Sequence, residues 1–206
     1  MILSATGMMG RTTSLKKKLE PLNDPAKRIK HDVVQSFVAT TARGEIGAVT
    51  STGRMIRLNV IDIASLEESG GTPLLASGVK ATEVINLARE ETLIGLVPLH
   101  QVIALATDQG IIKRVNPEYP LNAEDWEVIK LKAQDKVIAV QSCPNDDLNI
   151  TLVTEQAKLL TFDAAKVRPQ GRLGGGIAGI KLSDGDRVIG LGVTSPGAPA
   201  QVLTVT

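Results

Sequence analysis

Aromatic residues are nearly missing from this chain: Trp126, Tyr119, Phe37 and Phe162 are the whole set, 2% of 206 residues. The core must therefore be built from Val, Ile, Leu, Ala and Met, and recognition of single strands or RNA by stacked rings is disfavoured. One cysteine, Cys143, excludes an intramolecular disulfide and a cysteine-based zinc cluster. Two distant histidines, His31 and His100, leave no histidine metal site to assemble. No apolar run approaches the roughly 18 residues of a membrane-spanning helix. The opening MILSATGMMGRTTS has no basic stretch before its apolar part, so it does not read as a secretory leader. Met1 leads almost directly into strand-like residues, as an internal start would, and a reducing intracellular compartment is the default expectation.

What is present suits a folded chain. Apolar residues make up 43%, enough for a core in one domain or at most two small ones. The net charge of +1 is unevenly spread: residues 1–60 sum to +6, residues 61–135 to −6 and residues 136–206 to +1. A basic edge and an acidic edge on one body, or an ordinary mixed surface, both fit that distribution.

The chain also repeats. LSATGMMGR (3–11), VTSTGRMIR (49–57), ATDQGIIKR (106–114) and VTEQAKLLT (153–161) share one pattern of an apolar residue, Ser/Thr, two variable residues and Gly, then usually Arg. Ser4, Thr50, Thr107 and Thr154 lie 46, 57 and 47 residues apart, and Thr206 falls 52 beyond the last. A second pattern interleaves: VINLAREETLIGL (84–96), VIKLKAQDKVIAV (128–140) and GIKLSDGDRVIGL (179–191) align Leu87, Leu131 and Leu182, then Glu91, Asp135 and Asp186. In the first unit only KHDVVQSFVAT (30–40) echoes it, with Asp32 at the acidic position.

Each unit reads as short apolar runs rich in β-branched residues and bounded by turn signals, hence strands. Helix is confined to 16–28, which Pro21 and Pro25 shorten, and to 61–70. Units of about fifty residues that cannot hide both sheet faces must stack on neighbours. The expectation is an all-β pinwheel: one domain over 1–206, a propeller-like radial array of about four four-stranded blades near 1–45, 46–102, 103–150 and 151–206.

Two stretches carry a resemblance. VRPQGRLGGGIAGIKLSDGDRVIGL (167–191) and ATDQGIIKRV (106–115) resemble the C-terminal domains of the A subunits of DNA gyrase and topoisomerase IV. The resemblance implies a β-pinwheel whose outer edge wraps or grips duplex DNA. It implies as further partners the other A-subunit domains and the topoisomerase B subunit, in the bacterial cytoplasm at the nucleoid, with no membrane. ATP and magnesium are implied only for that parent topoisomerase; for this domain the expectation is no cofactor and no metal. Gyrase proper carries a box rich in Gln, Arg, Gly and Lys. In QGRLGGG (170–176), Gln170, Arg172, Gly174 and Gly176 match it, while Gly171, Leu173 and Gly175 depart.

The residues themselves give the candidate contacts. Gly174, Gly175 and Gly176 read either as a flexible blade loop or as a backbone cradle for phosphate. No Gly-Lys-Ser/Thr follows them, and no Gly-x-Gly-x-x-Gly stands between strand and helix, so nucleotide loops are not supported. Gly7, Gly53 and Gly110 read as structural turn positions. Arg11, Arg57 and Arg114 recur four residues later, and a periodic arginine would place a cation on the same face of successive blades, to line a DNA backbone without reading bases. Arg54, Lys158, Arg168, Gln170, Arg172 and Lys181, with the run Lys16, Lys17 and Lys18, complete the expected DNA-binding set; solvated surface charge is the competing reading.

No catalytic centre assembles. The acids repeat by unit, as turn-forming or salt-bridging residues do. Cys143 reads as a packed thiol, and Tyr119, between two prolines, as a loop residue. The leading expectation is a non-catalytic module that binds duplex DNA nonspecifically, and the competing one is a propeller-like protein-interaction scaffold. The strongest DNA contacts are expected from the first and fourth units.

Overall fold

A computed structural model of the chain describes residues 1–13, 31, 33–69 and 72–198. Lys16, Lys17, Lys18 and Asp32 lie outside these residues.

The Ser/Thr-x-x-Gly motif builds a hairpin. At each copy the N–H three residues on donates to the Ser/Thr carbonyl: Gly7 to Ser4 at 3.0 Å, Gly53 to Thr50 at 3.0 Å, Gly110 to Thr107 at 3.1 Å and Ala157 to Thr154 at 3.1 Å. The closing residue is left-handed each time, with φ of 81° at Gly7, 78° at Gly53, 83° at Gly110 and 60° at Ala157. This is a three-residue hairpin loop with its last residue in the region glycine tolerates best. The Ser/Thr side chains are buried, so they need partners. Ser4, Thr107 and Thr154 accept the N–H of Met8, Ile111 and Lys158, while Thr50 donates to the Arg54 carbonyl. Opposite each of the four, the ladder to the neighbouring strand slips by a bulge.

The strands in chain order are β1 (Ile2–Ser4), β2 (Met8–Gly10), β3 (Val34–Phe37), β4 (Glu45–Thr50), β5 (Arg54–Asn59), β6 (Glu68–Ser69), β7 (Thr72–Pro73), β8 (Val79–Lys80) and β9 (Leu93–Pro98). They continue as β10 (Ile103–Thr107), β11 (Ile111–Val115), β12 (Asp125–Glu127), β13 (Val137–Ser142), β14 (Asn149–Thr154), β15 (Leu159–Asp163), β16 (Ile177–Ala178) and β17 (Val188–Thr194). The helix α1 (Ala81–Val84) is a single turn. Residues 61–69 hold the end of a 3-10 turn and β6 in place of the expected helix.

The fold is all-β, with four propeller-type blades ordered β3-β1-β2-β8, β12-β5-β4-β9, β13-β10-β11-β16 and β15-β14-β17. The fourth has three strands among the described residues. The outermost strand of each of the first three comes from the following repeat: β8 pairs β2, β12 flanks β5, and β16 pairs β11.

The chain divides into two compact units. One comprises Met1–Leu99 with Pro120–Trp126 and holds the first two blades. Its core is aliphatic, including Leu3, Met9, Ile46, Ala48, Leu58, Ile63, Ile85 and Leu96. The other comprises His100–Tyr119 with Glu127–Thr206 and carries the last two blades on Ala104, Ile112, Ile150, Leu152, Val167 and Val188. Strand β14 alternates buried and half-buried residues at period two, as a strand with one inner face does. All of β10 is buried, since strands flank it and packing covers both faces.

Candidate nucleic-acid interface

The repeated acids secure the hairpin turns. Glu91 accepts the Thr52 hydroxyl at 2.7 Å, the Ala88 N–H at 3.0 Å, and Arg54 through Nε at 3.0 Å and Nη2 at 2.5 Å. Burial pushes its carboxyl up, but Arg54, the Thr50 and Thr52 hydroxyls and the Ala88 N–H outweigh that and hold it at about 2. Asp186 plays the same part, accepting the Gln156 N–H at 3.1 Å and the Arg187 N–H at 2.9 Å. Burial again opposes ionisation there, and these N–H groups, the Thr154 hydroxyl and the Lys158 charge leave its pKa lowered. Asp135 accepts the Gln109 N–H at 3.3 Å, yet burial and the neighbouring Asp108 raise its pKa.

The repeat arginines face inward to different degrees. Arg114 is 1% exposed; its guanidinium donates to Asp146 at 2.6 Å and to the carbonyls of Ala164, Val167, Cys143 and Asn145. Arg57 donates to Glu45 at 2.6 Å and to the Pro120 and Ala123 carbonyls, and stacks 5.0 Å from the Trp126 ring centre. Arg54 joins Glu91, Asp125 and the Asn86 carbonyl. Arg11 is half-buried, and its main chain bonds Ala64 and Leu66. Of the expected row of phosphate-facing arginines, Arg57 and Arg114 tie loops to strands through their side chains; Arg114 in particular has no surface to offer a phosphate. The reason is local: β11 is flanked by strands on both sides and packed on both faces, so even adjacent Lys113 and Arg114 are enclosed.

The glycine loop is different. Residues 170–176 run along the edge of β11: Gln170 N–H donates to the Arg114 carbonyl at 2.9 Å, and the Asn116 N–H to the Gln170 carbonyl at 2.9 Å. A turn closes between Gly171 and Gly174, with the Gly174 N–H 3.1 Å from the Gly171 carbonyl. The Gln170 side chain reaches across to the Gly176 N–H at 3.1 Å. Gly176 has φ of 77°, and a Cβ there would lie 2.8 Å from the Ile112 carbonyl, so only glycine lets the loop approach β11 this closely. The N–H groups of Gly174 and Gly176 are therefore used within the loop, and Gly175 is exposed.

Beneath the loop lies Lys113, which no sequence motif singles out as a site residue. It is fully buried, and Nζ donates to the carbonyls of Val128 at 2.7 Å, Arg172 at 2.8 Å and Gly174 at 2.7 Å. Burial pushes the ammonium down to about 8, with the Glu127 carboxylate opposing the shift. It remains charged at neutral pH.

In the loop and on the chain around it several cationic side chains reach solvent. Arg168, Lys181 and Lys130 are exposed, Arg172 is half-buried, and none makes an ion pair among the described residues. Lys130 is brought to the loop by its N–H, 3.3 Å from the Gly174 carbonyl. Lys158 is half-exposed, hydrogen-bonded to Ser183 and 3.9 Å from Asp186. Cys143 and the Tyr119 hydroxyl are buried, and burial raises both pKa values.

Strand-swapped sheets built on a repeated bulged hairpin define a propeller-type β-repeat module. The family model for the DNA gyrase C-terminal domain, beta-propeller, matches residues 101–118 and 149–195. The gyrase A protein of Staphylococcus epidermidis is 28% identical over 187 residues, covering 86% of this chain and 20% of that protein. The C-terminal domain of DNA topoisomerase IV superposes with a TM-score of 0.66 at 19% identity, over 79% of this chain and 51% of the other. The DNA gyrase A C-terminal domain gives 0.59 at 19% identity, over 92% and 62%. This chain shares the β-propeller fold of the DNA gyrase A and topoisomerase IV C-terminal domains and is similar in sequence to the gyrase A proteins. It spans about a fifth of the curated relatives it matches.

Proposed function

We propose that this chain is a non-catalytic module that binds duplex DNA through its backbone phosphates, as part of the A protein of a bacterial type IIA topoisomerase. In that setting it serves topology change in the cytoplasm beside the other A-subunit domains and the B subunit, which hold the ATP- and magnesium-dependent chemistry. The observation that supports the reading best is the glycine loop: a rigid turn, pinned from below, with Arg172 in it and Lys130, Arg168 and Lys181 on the chain segments beside it. Cations held on a fixed scaffold suit a regular polyanion, and they carry no information about base sequence. Arg11 and Lys158 are secondary contacts; Arg54, Arg57 and Arg114 are assigned to structure. The test is anisotropy titration of a labelled duplex at several salt concentrations. Steeply salt-dependent binding that ignores base sequence is expected, and no binding at low salt would refute the reading.

One feature favours an additional protein contact. Among the described residues β15 pairs on one side only, and Leu159 and Leu160 on it are 54% and 40% exposed. An open strand edge of this kind accepts an extended segment.

A further inference from the structure

We propose that Lys113 is the positioning residue of the DNA-binding loop: its buried ammonium holds the Arg172 and Gly174 carbonyls against that of Val128, and so fixes how Arg172 meets a phosphate. The inference rests on the proposed DNA contact at this loop. An ammonium has three N–H donors, and here three main-chain oxygens lie at 2.7, 2.8 and 2.7 Å. No carboxylate bonds to it among the described residues; carbonyl dipoles hold its charge directly, and the Glu127 carboxylate acts on it without a bond. Two of those dipoles belong to the turn that carries Arg172, and the third to the segment after β12. The ammonium is thus a fixed post for the loop.

The post is particular to the third blade. The positions matching Lys113 in the other hairpins are Gly10, Ile56 and Leu160, none of which has a side-chain donor to offer. Hairpin geometry therefore does not require a lysine here. The loop's other fastenings are the Gln170 side chain, the close approach at Gly176 and the Lys130 N–H on the Gly174 carbonyl; Lys113 is what holds the Arg172 carbonyl. Without the ammonium the Arg172 carbonyl loses its buried partner and the Gly174 carbonyl keeps only the longer bond from the Lys130 N–H, so the Arg172 end of the turn swings toward water.

The test pairs Lys113→Met, which keeps the aliphatic stem and removes the donors, with Arg172→Gln in a double-mutant cycle read by duplex affinity. Arg172→Gln is expected to weaken binding several-fold in the native background and by little in Lys113→Met, because the swung loop no longer presents the guanidinium. Amide exchange at residues 171–176 should accelerate about tenfold or more in Lys113→Met while β10 and β14 keep their protection. Equal losses from Arg172→Gln in both backgrounds would overturn the positioning role, as would unchanged loop exchange. If Lys113→Met fails to fold, the native chain still decides the matter: a hydrogen-bonded ammonium gives a protected Nζ–H signal in nitrogen-15 NMR, and a freely exchanging one would sink the proposal. If the native chain binds no duplex, the DNA reading fails, while loop exchange and the ammonium signal still report on the clamp.

Discussion

Replacing Arg168 and Arg172 together by glutamine should halve the salt dependence of duplex binding. Four exposed or half-exposed cations make up the proposed contact: Arg172 in the loop, Lys130 with its N–H on the Gly174 carbonyl, and Arg168 and Lys181 on the chain before and after it. If each neutralises one phosphate, log K falls with log salt at about −3.6, since each contact on duplex DNA contributes about −0.9. Between about 50 and 200 mM salt the native chain then loses about 150-fold in affinity. With two contacts removed the slope becomes about −1.8 and the loss about 12-fold. Glutamine leaves the loop intact, because Arg172 meets Lys113 through its main-chain carbonyl.

The assay is equilibrium anisotropy on two duplexes of unrelated sequence. The control is Lys80→Gln with Arg89→Gln, two exposed residues of the other compact unit that make no ion pair among the described residues. An equal change of slope in both double variants would show a diffuse electrostatic effect and refute the placement at the loop. A loss confined to one duplex would show base reading, which phosphate contacts do not provide.

Other outcomes follow from the hairpins and their clasps. Ala157→Gly should stabilise by about 0.5–1 kcal/mol in denaturant titration, since an L-residue at positive φ costs about 1–2 kcal/mol and the greater freedom of unfolded glycine returns part of that. Gly110→Ala should cost about 2 kcal/mol or more, because it adds positive-φ strain to a Cβ 2.8 Å from the Ile180 carbonyl. Glu91, held at about 2 against an ordinary 4.5, binds a proton in the unfolded chain first. Its contribution, on the order of 2–3 kcal/mol, is present above pH 4.5 and lost as pH falls toward 2. Melting temperature measured across that window should fall steeply in the native chain and less so in Arg54→Met. Arg114→Met should destabilise by about 3–5 kcal/mol, as loss of a buried charged hydrogen-bonding partner does, without changing the salt slope of DNA binding in the folded fraction. Amide exchange should be faster on β15 than on β11, whose outer edge β16 covers, and equal protection would mean the β15 edge is already filled.

The hairpins are legible in the sequence because their determinants are local. A Ser/Thr, two free positions and a left-handed glycine fix a loop within five residues, and four copies at similar spacing expose the repeat. The outer strands are not legible. β8 and β16 are two residues long, carry no alternating pattern, and exist only because an edge from the previous hairpin is there to pair with. The roles of Lys113 and Arg114 are hidden for a similar reason. Adjacent strand residues point to opposite faces, so a Lys-Arg pair ordinarily shows at least one charge to water. Here both faces and both edges of β11 are covered.

Structure and binding separate within the repeat on the same grounds. A residue that recurs in every unit meets the same surroundings every time. Ser4, Thr50, Thr107 and Thr154 are each buried at a bulge, and Glu91, Asp135 and Asp186 each receive the turn of a hairpin. Recurring arginines are drawn in likewise, because the carbonyls they bind belong to loops that recur with the sheets. Repetition therefore selects for shared internal partners in the hairpins. Arg168 and Arg172 lie outside both repeated patterns, Lys130 and Lys181 match one another within the second, and Lys113 has no counterpart in the other hairpins. The search for DNA contacts in this fold accordingly belongs where the pattern breaks, at the glycine loop.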